Sequence, residues 1–219
     1  MNQLQQYFEN NDKRLIYKYA HYFDIYDRHF SRFKDTDVHM LEIGVNHGGS
    51  LQMWKDYFGK DAHIYGVDIC TRCKELEEDQ VEIFIGSQED PEFLTELKQK
   101  LPRIDILLDD GGHTMKQQIT TFEEMFSHVS ENGVYMCEDL HTSYWEDFGG
   151  GYKNPNSYIE YSKSLIDYLN AWHSKQKDDF FVNDFSRSAY SMHYYDSILA
   201  IEKKPMSVPT SKKTGHFSF

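Results

Sequence analysis

Five short apolar runs recur along this chain: HMLEIGV (39–45), HIYGVDI (63–69), VEIFIG (81–86), IDILLDD (104–110) and GVYMCED (133–139). Stretches with helical spacing alternate with them. That alternation predicts βα units and a parallel sheet, because a strand apolar on every side must be covered on both faces. Near the end, SAYSMHYYDSILAIEKK (188–204) reads as two extended runs about a Tyr-Asp-Ser turn, a closing antiparallel hairpin. The expected fold class is therefore α/β: Rossmann-like, mostly parallel, with helices on both faces, a C-terminal antiparallel hairpin and N-terminal helices.

The intervening helices carry their own punctuation. Ser50 is a candidate cap for a helix whose Leu51, Trp54 and Phe58 face inward, and Asp90-Pro91 pairs an N-cap with proline at the first helical position. Thr114 and Gln117 form a capping box, after which Met115, Ile119, Phe122, Phe126 and Val129 make an inner stripe. Tyr158, Tyr161, Leu165, Leu169 and Trp172 predict another helix over about 157–174. At the start, Ile16, Tyr19, Tyr22 or Phe23, Tyr26 and Phe30 predict one or two amphipathic helices over about 12–34, with Tyr22 and Tyr26 closing over a bound cofactor. The expected organisation is an N-terminal helical cap (1–36), a catalytic domain (37–204) and a tail (205–219).

Charge narrows the partners. With 23 Lys+Arg against 36 Asp+Glu, the formal charge of -13 opposes a nucleic-acid or anionic-membrane surface, which needs a basic footprint. No apolar run reaches about 18 residues, and MNQLQQYFENNDKR carries no apolar signal core, so a cytoplasmic location is expected. Cys70 and Cys73 form a C-x-x-C, yet a structural zinc site needs four ligands and the chain has only three cysteines, so both are expected to be reduced thiols.

Where the first run meets its helix, LEIGVNHGGS offers glycines 44, 48 and 49, which let backbone approach a ligand and present amides at a helix N-terminus. Glu42, Gly44, Asn46, Gly48 and Ser50 are the cofactor-binding candidates from this segment. Asn46 stands where a dinucleotide fingerprint would have its second glycine, which disfavours a pyrophosphate. Asp68, at the end of the second run, is placed to accept hydrogen bonds from ribose hydroxyls, and Ser87 and Gln88, after the third, to meet an adenine edge. The three strand ends together describe an adenosine site.

The fourth and fifth runs end in Asp109-Asp110 and Glu138-Asp139. Four crowded carboxylates repel unless a cation lies among them, and oxygen ligands favour a hard ion, Mg²⁺ or alternatively Ca²⁺ or Mn²⁺. Asp110, Glu138 and Asp139 are the expected ligands. Asp109, on the other side of an extended chain from Asp110, is expected to face the cofactor's ammonium. His113 precedes the Thr114 cap, where the helix dipole favours a neutral imidazole, and is the candidate general base. His141 and His47 are lesser candidates.

The motifs E-I-G-V-x-x-G-G-S-L-x-M-W, G-V-D-I, D-D-G-G-H and E-D-L-H-T-S-Y-W resemble the class I S-adenosylmethionine-dependent methyltransferases, especially the metal-dependent sugar O-methyltransferases of macrolide pathways and the cephalosporin-hydroxylase-like family. The resemblance covers roughly residues 12 to 203. It implies a seven-stranded sheet whose last strand is antiparallel, S-adenosylmethionine as cofactor, and magnesium held by Asp110, Glu138 and Asp139. It also implies that His113 deprotonates a sugar hydroxyl. Acceptor contacts are expected from TSYWEDFGGGYKNPNS (142–157), whose Tyr144 and Trp145 can stack on a sugar and whose glycines suit a mobile lid. The expected partner is a small sugar-containing acceptor, and a homo-oligomer is compatible with it. A catechol- or diol-directed methyltransferase and a nicotinamide-dependent oxidoreductase are the alternatives.

Overall fold

The computed structural model describes residues 1–176 and 178–219. Its centre is a seven-stranded sheet of β1 (His39–Ile43), β2 (His63–Asp68), β3 (Val81–Ile85), β4 (Ile104–Asp109), β5 (Val129–Cys137), β6 (Ala189–Tyr195) and β7 (Ile198–Lys203), in the order β3-β2-β1-β4-β5-β7-β6. The first five strands are parallel to one another, and β7 enters antiparallel between β5 and β6. The Rossmann-like fold and the closing hairpin expected from the apolar runs are both present. β5 begins at Val129, four residues early, with a register shift against β4 before Val134.

Alternate strand residues feed two cores. Met40, Ile64, Ile106, Leu108 and Met136 point to one face, where α1 (Gln3–Glu9), α2 (Tyr22–Phe30) and α3 (Gly49–Phe58) pack. Leu41, Ile43, Leu107, Tyr135 and Leu199 point to the other, covered by α4 (Pro91–Lys100), α5 (Met115–Met125), α6 (Tyr158–Leu169) and α7 (Asp184–Ser188). β4 is buried along its whole length, so truncating Leu107 or Leu108 to alanine should cost about 2–5 kcal/mol. The Asp90 cap and the Thr114–Gln117 capping box form as their sequences predict. Among the described residues, no helix is long and apolar enough to cross a membrane.

Two sequence-based expectations fail at the N-terminus. A helix over residues 3–9, capped by Asn2, was not predicted. Residues 11–21 are not helical: they form an extended strap, and the helix begins only at Tyr22. The strap crosses the start of α3 at Gly49, where an added Cβ would lie 2.3 Å from the Leu15 carbonyl oxygen and 2.5 Å from that of Arg14. Gly49 is therefore spent on strap passage rather than on a ligand.

Candidate active site

The carboxyl ends of the parallel strands open into a cleft of about 800 Å³. Gly44, Asn46, Asp68, Ser87, Gln88, Asp110, His113, Asp139 and Trp145 line it, so four strand ends and the loop after β5 bring these predicted residues together. His47 and His141 line it as well. Open sheets of this kind place ligands at that edge.

The loop after β1 is shaped from within. Asp68 Oδ2 accepts hydrogen bonds from the Val45 and Asn46 amides, each at 2.9 Å, and Oδ1 accepts from the Cys70 amide at 2.8 Å. A carboxylate has about four lone-pair sites, so three amides leave room for one further donor from a ligand. Gly44, at φ +99, lies where a Cβ would come 2.0 Å from the Asp110 carbonyl oxygen, so this glycine locks β1 against the turn after β4.

Four cofactor candidates lie elsewhere than expected. Glu42 is fully buried beneath the loop, where its Oε2 accepts from Ser50 Oγ at 2.7 Å and Trp54 Nε1 at 3.2 Å. Ser50 is thereby engaged inside α3, and Gly48, in the left-handed region, takes the N-cap position instead. Gly48 itself faces Leu76 and Arg14 rather than the cleft. Asp109 is also fully buried, its Oδ1 accepting from Gln88 Nε2 at 2.9 Å, and burial pushes its carboxyl up to about 7. It has no cleft-facing surface with which to meet an ammonium. Gln88 reaches the cleft wall, but its amide group is used on Asp109, on Thr121 (3.0 Å) and on the Gly112 amide (2.8 Å), which fixes the D-D-G-G-H turn.

The acid cluster contains a residue that the sequence patterns did not single out. Lys18, on the strap, donates to Asp110 Oδ2 and, at 2.8 Å, to Glu138 Oε1, with Glu42 Oε1 3.6 Å away. Burial alone would lower its pKa, but Asp110, Glu138 and Glu42 outweigh burial and hold it well above the usual lysine value. Glu138 carries one more donor, the Tyr26 hydroxyl on Oε2, while Tyr22 donates to Asp139 Oδ1 at 2.6 Å. The two tyrosines expected to cover the cofactor thus serve the acids instead. Glu138, expected as a metal ligand, is 1% exposed with both oxygens engaged; burial and then the nearby Asp110 raise its pKa above the usual carboxylate value, while Lys18 opposes them.

What faces the cleft is a different trio. Asp110, His113 and Asp139 each offer one ligand atom, all within 4.8 Å of one another. His113 Nε2 is 3.4 Å from Asp139 Oδ2 and 3.9 Å from Asp110 Oδ1, whereas its Nδ1 is buried without a partner. Burial lowers the pKa of this imidazole, which keeps it neutral at pH 7. Asn46, His113 and Asp139 hold φ of 50, 58 and 57, left-handed backbone that asparagine, aspartate and histidine adopt more readily than other side chains.

The loop after β5 is tied down. Gly150 N donates to Trp145 O at 2.9 Å and Gly151 N to Ser143 O at 2.8 Å, closing two short 3₁₀ turns on themselves. Trp145 lines the cleft with its ring centroid 4.7 Å from that of His141, and His141 Nδ1 is 2.6 Å from Ser197 Oγ. Tyr144, the other acceptor candidate, is half exposed and lies off the cleft wall. Tyr17 and Tyr19, from the strap, line it in its place. Asp110 and Asp139 present carboxylate oxygens that suit a hard divalent ion, with the neutral His113 imidazole beside them, and the open cleft above suits an adenosine-sized cofactor.

Residues 41–140 match a family model described as a methyltransferase domain. The chain is 36% identical over 188 residues to demethylmacrocin O-methyltransferase of Streptomyces fradiae, covering 81% of this chain and 47% of that protein. It is 33% identical to the 8-demethyl-8-alpha-L-rhamnosyl tetracenomycin-C 2'-O-methyltransferase of Streptomyces olivaceus, over 90% of this chain and 53% of that one. Among solved structures, the MycE methyltransferase of the mycinamycin biosynthetic pathway, in complex with Mg and SAH, superposes with a TM-score of 0.82 at 30% identity, covering 92% of this chain and 54% of that chain. A second structure of it also contains mycinamycin VI and gives a TM-score of 0.80. The chain spans about half the length of the curated relatives it matches.

Proposed function

We propose that this chain, whose residues 41–140 match a family model described as a methyltransferase domain, methylates a hydroxyl of a sugar or sugar-bearing small molecule. S-adenosylmethionine is the methyl donor, and a divalent cation, Mg²⁺ in the first instance, is held by Asp110 and Asp139. His113 is the general base. The observation that carries this reading is the convergence of Asp110 Oδ1, Asp139 Oδ2 and His113 Nε2 at the cleft, on a chain similar to a rhamnosyl tetracenomycin O-methyltransferase.

When bound, S-adenosylmethionine supplies an electrophilic methyl on its sulfonium, and the cation supplies Lewis acidity that lowers the pKa of an acceptor hydroxyl. The remaining work falls to the chain. Neutral at pH 7, His113 accepts the hydroxyl proton at Nε2, and Asp139 and Asp110 beside it stabilise the imidazolium that results. Gly44, Asn46 and Asp68 shape the cofactor end of the cleft, and Ser87, which lines the same cleft, is the residue proposed to meet the adenine edge. Trp145, braced by His141, offers an apolar face against which a sugar ring can lie. With its net charge of -13 the chain favours a small acceptor over nucleic acid.

Incubation with methyl-labelled S-adenosylmethionine and a panel of deoxysugar-bearing acceptors, with Mg²⁺ or after exhaustive chelation, tests this. Label in an acceptor only with the metal present is the expected result. Equal labelling of the chelated protein would refute the metal's part.

A further inference from the structure

Lys18 has no part in the reaction as proposed, yet it occupies the centre of the acid cluster. Its side chain is 2% exposed, and its ammonium lies against Asp110 Oδ2, Glu138 Oε1 and, more distantly, Glu42 Oε1. Oxygens of this kind are what a hard divalent ion seeks. Tyr26 holds the second Glu138 oxygen, so Glu138 is turned from the cleft although its strand-end position suits a ligand. Glu42 is fixed by Ser50 and Trp54. Asp110 alone is shared, with Oδ2 on Lys18 and Oδ1 towards His113 and the cleft.

The manner in which Lys18 arrives matters as much as where it ends. It rides on the extended strap, which is anchored through Arg14 to the Leu76 carbonyl (3.0 Å) and to Glu78 (3.4 Å) and by the buried Ile16. A strap held by side chains, with few backbone hydrogen bonds of its own, can shift without breaking a helix or a strand. We propose that Lys18 is a built-in rival of the divalent cation. In the metal-free protein its ammonium neutralises Asp110 and Glu138, groups whose unpaired burial would be costly. Metal binding displaces it, frees Glu138 and loosens residues 11–21. This rests on the divalent site proposed above.

The rivalry is tested by titrating Mn²⁺ into the full chain and into Lys18→Met, following the free ion by electron paramagnetic resonance. Removing a unit positive charge about 4 Å from the incoming ion should tighten Mn²⁺ binding by about tenfold or more. An unchanged or weaker affinity in Lys18→Met would overturn the proposal, since Lys18 would then be a structural or positioning group. Binding to Lys18→Met alone would strike the metal-dependent reaction while upholding the rivalry, and binding to neither protein would strike both. Should Lys18→Met fail to fold, hydrogen–deuterium exchange over residues 12–20 of the unaltered chain decides. Faster exchange with saturating Mn²⁺ upholds displacement, and unchanged or slower exchange overturns it.

Discussion

His113 Nε2 lies 3.4 Å from Asp139 Oδ2, and both residues reach that contact from left-handed backbone, at φ 58 and 57. The contact places a proton acceptor beside a carboxylate. His113→Ala should therefore lower turnover by about 10²–10⁴-fold while leaving S-adenosylhomocysteine affinity within about twofold. Steady-state kinetics with calorimetry on the same variant checks this, and a variant with full turnover would remove His113 from the mechanism.

Gly44→Ala should be far more damaging to the fold than an exchange of glycine for alanine on a surface. Its φ of +99 is strained for any side chain, and the new Cβ would meet the Asp110 carbonyl oxygen at 2.0 Å. A loss of at least about 2 kcal/mol in a urea melt is expected, with weakened cofactor binding in whatever protein remains folded. A melt matching that of the unaltered chain would show that β1 and the turn after β4 can separate cheaply.

Trp145→Ala should act on the acceptor rather than on the chemistry. The ring lines the cleft and leans on His141. The acceptor KM should rise with kcat little changed, the pattern of a lost binding contact. A fall in kcat at constant KM would place Trp145 nearer the reacting atoms.

Away from the cleft, Lys203 is 6% exposed and donates to the Phe126 and Val129 carbonyls at 2.8 and 2.6 Å. Burial lowers its pKa from 10.5 to about 8. Between those values the unfolded chain holds a proton that the folded chain has released, so Lys203 makes stability rise as pH increases from about 8 towards 10.5, and its burial penalty is fully present below 8. Urea melts across that window should show the unaltered chain gaining stability relative to Lys203→Met. A constant difference would mean that Lys203 stays charged in the fold.

Much of the architecture was legible in the sequence because βα alternation leaves strong marks. The runs at 39–45 and 104–110 became β1 and β4, and Asp90 and Thr114 capped the helices they were expected to cap. Asp110, His113 and Asp139, which lie together at the cleft, stood out in the sequence because they follow strand ends. Ser50 was misread because a serine at a helix start looks like a cap, whereas here a buried glutamate eight residues earlier takes its hydroxyl. Glu42 and Asp109 sit on strands whose alternation turns their side chains beneath the sheet edge, which a list of acids cannot reveal. Lys18 was hidden differently. Ile16, Tyr19 and Tyr22 mimic helical spacing, so the strap read as part of an amphipathic helix, and no pattern marked its lysine. One signal was available, since four clustered carboxylates call for cations and a buried lysine is one as much as a metal is.

Anomalous diffraction from a Mn²⁺-soaked crystal tests the central claim most directly. The account predicts a single strong peak within metal–oxygen bonding distance of Asp110 and Asp139 and beside His113. A saturating soak that left that position empty, with manganese bound elsewhere or nowhere, would contradict it.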